Sequence, residues 1–143
     1  MEIKELFEIE CNVDDMTGEA VSFATERLFA AGALDVYTVA VGMKKSRPGI
    51  LIRATCAAGE RDSVLGAMFK FTTTLGVRER RITGYVMQKK IENAETELGT
   101  VRRKTSCGFG VTREKYEYDD VAKIAREREL SIADTIVLLE KSK

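Results

Sequence analysis

The chain has no histidine, a single proline and only three cysteines among its 143 residues. Without histidine there is no His-based catalytic triad, no zinc site of the Cys/His type, and no proton shuttle of the usual kind near neutral pH. Cys11, Cys56 and Cys107 are far apart and odd in number. That excludes a complete disulfide set and fits a reducing cytoplasm. Cys11 and Cys56 read as core residues. Cys107, between Ser106 and Gly108, is the exception and a candidate contact for a metal or substrate. No run approaches the roughly 18 apolar residues of a membrane span. The opening stretch MEIKELFEIE is charged and alternating, unlike a signal peptide. The expectation is a cytoplasmic protein without membrane contact.

Excess charge of either sign is also missing, because 23 basic and 23 acidic residues cancel. A zero balance argues against a general nucleic-acid binder but leaves room for a local basic pocket. Hydrophobic residues make up 44% and charged residues 32%. This is the balance of an ordinary globular protein, with enough apolar material for a core.

Periodicity then assigns the elements. Leu6 to Cys11 alternates as a strand, with Leu6, Glu8 and Glu10 on one face and Phe7, Ile9 and Cys11 on the other. Thr17 is placed to cap a helix that carries Glu19 in its first turn and stops at Gly32. Leu34 to Val41 and Ile50 to Cys56 read as a hairpin around the basic turn Met43 to Gly49. Arg61 to Phe71 is helical, and Thr72-Thr73-Thr74 breaks it. Val77 to Val86 is a strand whose polar face gathers Arg78, Arg80 and Arg81. The order β-α-β-β-α-β is that of a ferredoxin-like α+β domain, with two helices on one face of an antiparallel sheet. The expected boundaries are 1–87 for this domain and 88–143 for a small β-plus-helix subdomain. In the latter, Met87 to Glu92, Gly99 to Ser106 and Gly110 to Lys115 read as short strands. Tyr118 to Arg128 follows as a helix, with Asp119 as its expected cap. Ser131 to Asp134 forms a capping box before a last helix.

Three segments carry possible chemistry. Asp14 and Asp15 lie between a strand end and a helix start. Two adjacent carboxylates can hold a hard divalent cation that keeps several waters, typically Mg²⁺ or Mn²⁺ bridging phosphates. The alternative is one helix cap and one solvated acid. Lys44, Lys45 and Arg47 crowd a turn stiffened by Pro48 and closed by Gly49. A rigid basic turn loses less entropy when it clamps a phosphate, although a solvated charge run has the same composition. Thr72 to Arg78 offers hydroxyls, a glycine and an arginine to phosphate or ribose oxygens, or else simply caps a helix. It lacks the spacing and lysine of a P-loop. The topology is expected to put some of these segments at opposite sheet ends, so that one shared site requires a subunit interface. The bare residues therefore support a polyanion-plus-metal site. They leave open a non-catalytic ferredoxin-like regulatory domain for a small anion, and a single-stranded RNA binder using the arginine face.

The ordered segments Asn12 to Glu19, Gly32 to Val36, Met43 to Gly49 and Thr72 to Arg78 resemble the C-terminal region of the nickel insertion protein family, the LarC family. Glu117 to Asp120, followed by a helix, resembles the family's tail, so the similarity covers most of the chain. The resemblance implies part of a CTP-dependent chelatase that loads nickel, its substrate ion, into a pyridinium bis-thiocarboxylate mononucleotide. It implies CTP with Mg²⁺ or Mn²⁺ as ligands and a homo-oligomer as the assembly. The nickel-free nucleotide precursor and an N-terminal region absent from this sequence are the further partners implied. Asp14 and Asp15 would serve the metal, and Lys44, Lys45 and Arg47 the phosphates, with Thr73 and Arg78 in support. It assigns no catalytic residue. The sequence departs from the family pattern at Ser46 (usually glycine), Phe71 (often glutamate) and Tyr116 (commonly proline).

Overall fold

A computed structural model describes residues 2–142. They form two compact units, residues 3–84 and residues 85–142 with Glu2.

The first unit is built on a four-stranded sheet. Strand β1 (Glu2–Val13) leads to helix α1 (Gly18–Ala30), and β2 (Asp35–Met43) turns through Lys44–Ser46 into β3 (Arg47–Ala57). Helix α2 (Arg61–Phe71) then leads to β4 (Arg78–Val86). The strand order is β2-β3-β1-β4. Period-2 alternation sends Ile9, Cys11 and Val13 of β1, with Ile52, Ala54 and Cys56 of β3, to one buried face. Both helices pack there, α1 through Val21 and Leu28 and α2 through Val64, Ala67 and Met68. Ile9, Leu28, Ile52 and Met68 have no solvent exposure. Each such side chain contributes about 1.5–3 kcal/mol of burial free energy.

Local signals hold in detail. Thr17 caps α1, its Oγ1 accepting from the Ala20 amide at 3.2 Å. Gly32, at φ 102°, lies just past the helix end. Arg61–Phe71 is helical as the spacing predicts.

The faces of β4 differ from the sequence reading. Arg78 and Arg80 share the open face, where they meet Glu10 and Glu8 of β1. Arg81 has the opposite parity and lies 5.6 Å from the ring centroid of Phe7, a residue of the helix-covered side. A strict period of 2 separates Arg80 from Arg81 whatever their shared charge.

The second unit is a three-stranded antiparallel meander, β5 (Gln88–Thr96), β6 (Gly99–Gly108) and β7 (Val111–Tyr116). Two helices follow, α3 (Tyr118–Arg128) and α4 (Ile132–Lys141). Val101, Val121, Ile124 and Leu139 form its small core. Ser131 caps α4 by accepting from the Asp134 amide at 3.1 Å while donating to the Asp134 carboxylate at 2.6 Å. Asp119 does not cap α3. That position belongs to Glu117, whose side chain makes no capping bond. The neighbouring Asp120 instead accepts from the Arg102 amide at 2.7 Å and from its guanidinium at 2.8 and 3.0 Å, which ties α3 to β6. Asp119 lies inside the first turn of α3, past the cap position, so its side chain cannot serve as the N-cap.

The architecture is thus mixed α+β with antiparallel sheets. Among the described residues, no helix is long and apolar enough to cross a membrane.

Candidate anion and metal site

The ladder between β1 and β3 decides where the two charged turns lie. It is antiparallel and ends at the pair Val13 and Ile50. One step further stand Asp14 on one strand and Gly49 on the other. β2 also runs antiparallel to β3, down to the pair Met43 and Arg47. Strands β1 and β2 therefore point the same way, as a strand–helix–strand crossover requires. The end of β1 and the β2–β3 turn consequently share one end of the sheet. The expectation of opposite ends is wrong for this pair, and their contact needs no second subunit.

Side chains complete the convergence. Arg47 Nη1 lies 3.3 Å from Asp14 Oδ2, linking positions 33 residues apart. The Thr73 hydroxyl donates to Asp15 Oδ1 across 58 residues. Arg78 donates to Asn12 Oδ1 at 2.6 Å and to Glu10 Oε1 at 3.1 Å. The turn after β1, the β2–β3 turn and the α2–β4 loop are all joined at this end of one chain.

Gly49 makes the close approach possible. A Cβ there would stand 2.9 Å from the Val13 carbonyl oxygen, with the Met43 side chain also in its way. Around it is a hollow of about 210 Å³ lined by Val13, Asp14, Met16, Pro48, Gly49 and Ile50. It is smaller than the ~300–1,000 Å³ of a ligand pocket that encloses its guest. The turn itself is tightly wound, with Lys45 at φ 61° and Ser46 at φ 56°. Position 46 thus has a backbone that glycine adopts most easily.

The predicted residues are not equally placed. Asp14, Asp15, Arg47 and Thr73 meet in pairs. Lys44 and Lys45 are exposed on the turn and form no ion pair with Asp14 or Asp15 among the described residues. Arg78 is committed to β1 and braces the strand that carries the acids. Phe71 meets α1, its ring edge-on to Phe23 at 5.9 Å and 5.4 Å from the Arg27 guanidinium. Sequence reasoning missed Glu10 and Asn12. Their alternation on β1 was legible, but their partner Arg78 lies 66 to 68 residues away. Burial alone would raise the Glu10 carboxyl. Hydrogen bonds from Arg53 and Arg78 outweigh it and hold the group below its ordinary value.

The donor set suits a hard cation. Asp14 and Asp15 offer carboxylate oxygens beside the Arg47 guanidinium and the Thr73 hydroxyl. Among the described residues no three Cys, Asp or Glu side chains converge. A divalent ion here would take its remaining ligands from water and phosphate, the habit of Mg²⁺. Thiolate ligation does not arise at Cys11. Burial pushes that thiol above its ordinary value, and its Sγ meets Met68 Sδ at 3.5 Å. Cys107 is exposed in the second unit, 3.5 Å from the Thr112 hydroxyl.

The open face of the sheet is not a free basic surface. Glu10 pairs with both Arg53 and Arg78, and Glu8 with Arg80. Arginines already paired to carboxylates release few counterions on meeting a nucleic acid, which weakens the RNA-binding alternative.

A family model described as nickel insertion protein matches residues 1–136. A putative nickel insertion protein of Cyanothece sp. is 36% identical over 129 residues, 90% of this chain and 32% of that protein. The pyridinium-3,5-bisthiocarboxylic acid mononucleotide nickel insertion protein of Acetivibrio thermocellus is 32% identical over 138 residues, 96% of this chain and 34% of that protein. The chain thus spans about a third of the length of these relatives. Among solved structures, the apo form of LarC2 aligns with a TM-score of 0.90 at 26% identity, covering 99% of this chain and 98% of that one. LarC2 is described as the C-terminal domain of a cyclometallase in the synthesis of the NPN cofactor of lactate racemase.

Proposed function

Because the chain belongs to the nickel insertion protein family, we propose that it is the CTP- and divalent-metal-binding part of a nickel insertase acting on a pyridinium bis-thiocarboxylate mononucleotide. The observation that carries this reading is the meeting of Asp14 with Arg47 and of Asp15 with Thr73 at one sheet end. The framework is ferredoxin-like, and the site occupies the sheet end where β1 and β2 finish.

Each residue has a distinct task. Asp14 and Asp15 would hold Mg²⁺ or Mn²⁺ through hard oxygens, and the ion would supply positive charge against phosphate. Lys44, Lys45 and Arg47 supply three positive charges against two carboxylates, which leaves a net attraction for a triphosphate. Thr73 donates a hydroxyl to the same group. Arg78 positions the end of β1 through Asn12 and Glu10. Nickel enters as the substrate ion, and no thiolate in this site competes for it. The nickel-free precursor, a further region of the whole protein and other copies of the chain are the partners this reading requires.

Calorimetric titration of CTP with and without Mn²⁺ tests it. Binding is expected only with the metal, and about tenfold or more weaker in Asp14→Asn and Asp15→Asn, the cost of a lost charged ligand. CTP binding indifferent to metal would favour the regulatory anion-binding domain instead. No binding at all would remove the nucleotide from the reading.

A further inference from the structure

One ion pair joins the acidic and basic halves of the site. Arg47 is 3.3 Å from Asp14, so one residue expected to face phosphate is paired with one expected to face metal. The pair is not locked in place, since the Arg47 side chain is 62% exposed and that of Asp14 only 23%. Resting on the metal–nucleotide reading above, we propose that Arg47 is a specificity-determining residue. It makes the site select a preformed metal–triphosphate complex over the free cation or the free polyanion.

The reason is charge conservation at each step. A free divalent cation approaching Asp14 meets a guanidinium already there and must displace it. The displaced charge gains no new partner. A free triphosphate can draw Arg47 away, but this leaves an unpaired carboxylate beside a polyanion, and like charges at that distance repel. The complex brings both signs together. Phosphate oxygens take the guanidinium while the metal takes the carboxylate, and no charge is left alone. Asp15 and Thr73 repeat the arrangement. The hydroxyl that donates to Asp15 can turn to a phosphate oxygen as Asp15 turns to the metal. Because the Arg47 guanidinium is largely solvent-exposed, moving it from Asp14 to phosphate costs little. Lys44 and Lys45, unpaired to these acids, attract the polyanion without sharing in the exchange. Metal and triphosphate then raise each other's affinity by one common factor, as linkage requires.

The test uses the full chain, with Mn²⁺ alone, CTP alone in chelator, and both together. Free Mn²⁺ is followed by electron paramagnetic resonance and CTP by calorimetry. In the wild-type chain each ligand is expected to tighten the other by about 5- to 150-fold, the usual range of coupling. Arg47→Gln should bind Mn²⁺ alone about two- to fivefold more tightly, because the exposed competitor is gone. The same variant should bind CTP with Mn²⁺ about tenfold or more weakly, so its coupling factor shrinks. Arg47→Lys should fall between the two. Circular dichroism checks that both variants keep the fold. If the glutamine variant left the affinity for Mn²⁺ alone unchanged while the wild type bound CTP with metal, this proposal would be overturned and the functional reading would stand. A wild-type chain that binds Mn²⁺ as tightly without CTP as with it overturns the proposal as well. A wild-type chain that binds no CTP in Mn²⁺ sinks both.

Discussion

At Gly49 one missing methyl group sets the width of the gap between two strands. A Cβ there would lie 2.9 Å from the Val13 carbonyl oxygen, closer than backbone neighbours allow. Gly49→Ala should therefore destabilise the first unit by about 1–3 kcal/mol, the cost of overpacking against atoms that cannot rotate away. Urea denaturation measures it, and an unchanged midpoint would show that β1 yields. A second residue-scale prediction concerns acid. Asp120 accepts hydrogen bonds from both the side chain and the amide of Arg102, which lower its pKa from 3.8 to about 2. A depressed folded-state pKa contributes stability that is present above the unfolded value and lost as pH falls through the folded one. The contribution of Asp120 is thus complete above about pH 4 and gone below about pH 2. Asp120→Asn should flatten the fall in stability across that window, read from thermal midpoints at successive pH values. A slope identical to wild type would mean that other carboxylates carry the acid response.

Elements are where local chemistry speaks most clearly. The cap at Thr17, the stop at Gly32, the helix over Arg61–Phe71 and the capping box at Ser131 each depend on neighbours within four residues. For that reason each is legible in the chain itself. Thr17→Ala removes the bond to the Ala20 amide and should cost about 1 kcal/mol, visible as a lower denaturation midpoint. Because Thr17 follows the acidic turn directly, the same change should also weaken metal-dependent CTP binding. Retained affinity would show that the turn is held from the Thr73 side alone. Two element-level readings failed for related reasons. The arginines of β4 look like one basic face until strand parity separates Arg81 from Arg78 and Arg80. Asp119 looks like a cap until the helix is seen to start one residue earlier, at Tyr118. In both cases the exact frame of the element, not the residue type, decides the matter.

The described residues form two cores. Ile9, Leu28, Ile52 and Met68 belong to the first, and Val101, Val121 and Leu139 to the second. Every proposed ligand-binding residue lies in the first unit. A fragment of residues 1–87 is therefore expected to unfold in one cooperative transition and to keep metal-dependent CTP binding within about threefold of the full chain, the spread typical of a measured interaction in a changed context. Calorimetry on the fragment checks both points, and loss of binding with the fold intact would assign a role at the site to the second unit.

The sequence by itself determined the elements, their order and the charge carried by each turn. Alternation, capping and composition act over a few residues and survive without any knowledge of the fold. Only the tertiary structure decided that the Asp14-Asp15 turn, the Lys44–Arg47 turn and the threonine loop meet in one chain. Their meeting depends on the register of β1 on β3 and on the parallel sense of β1 and β2. Register is a long-range property fixed by packing one apolar face, and no local pattern encodes which turn it brings opposite which.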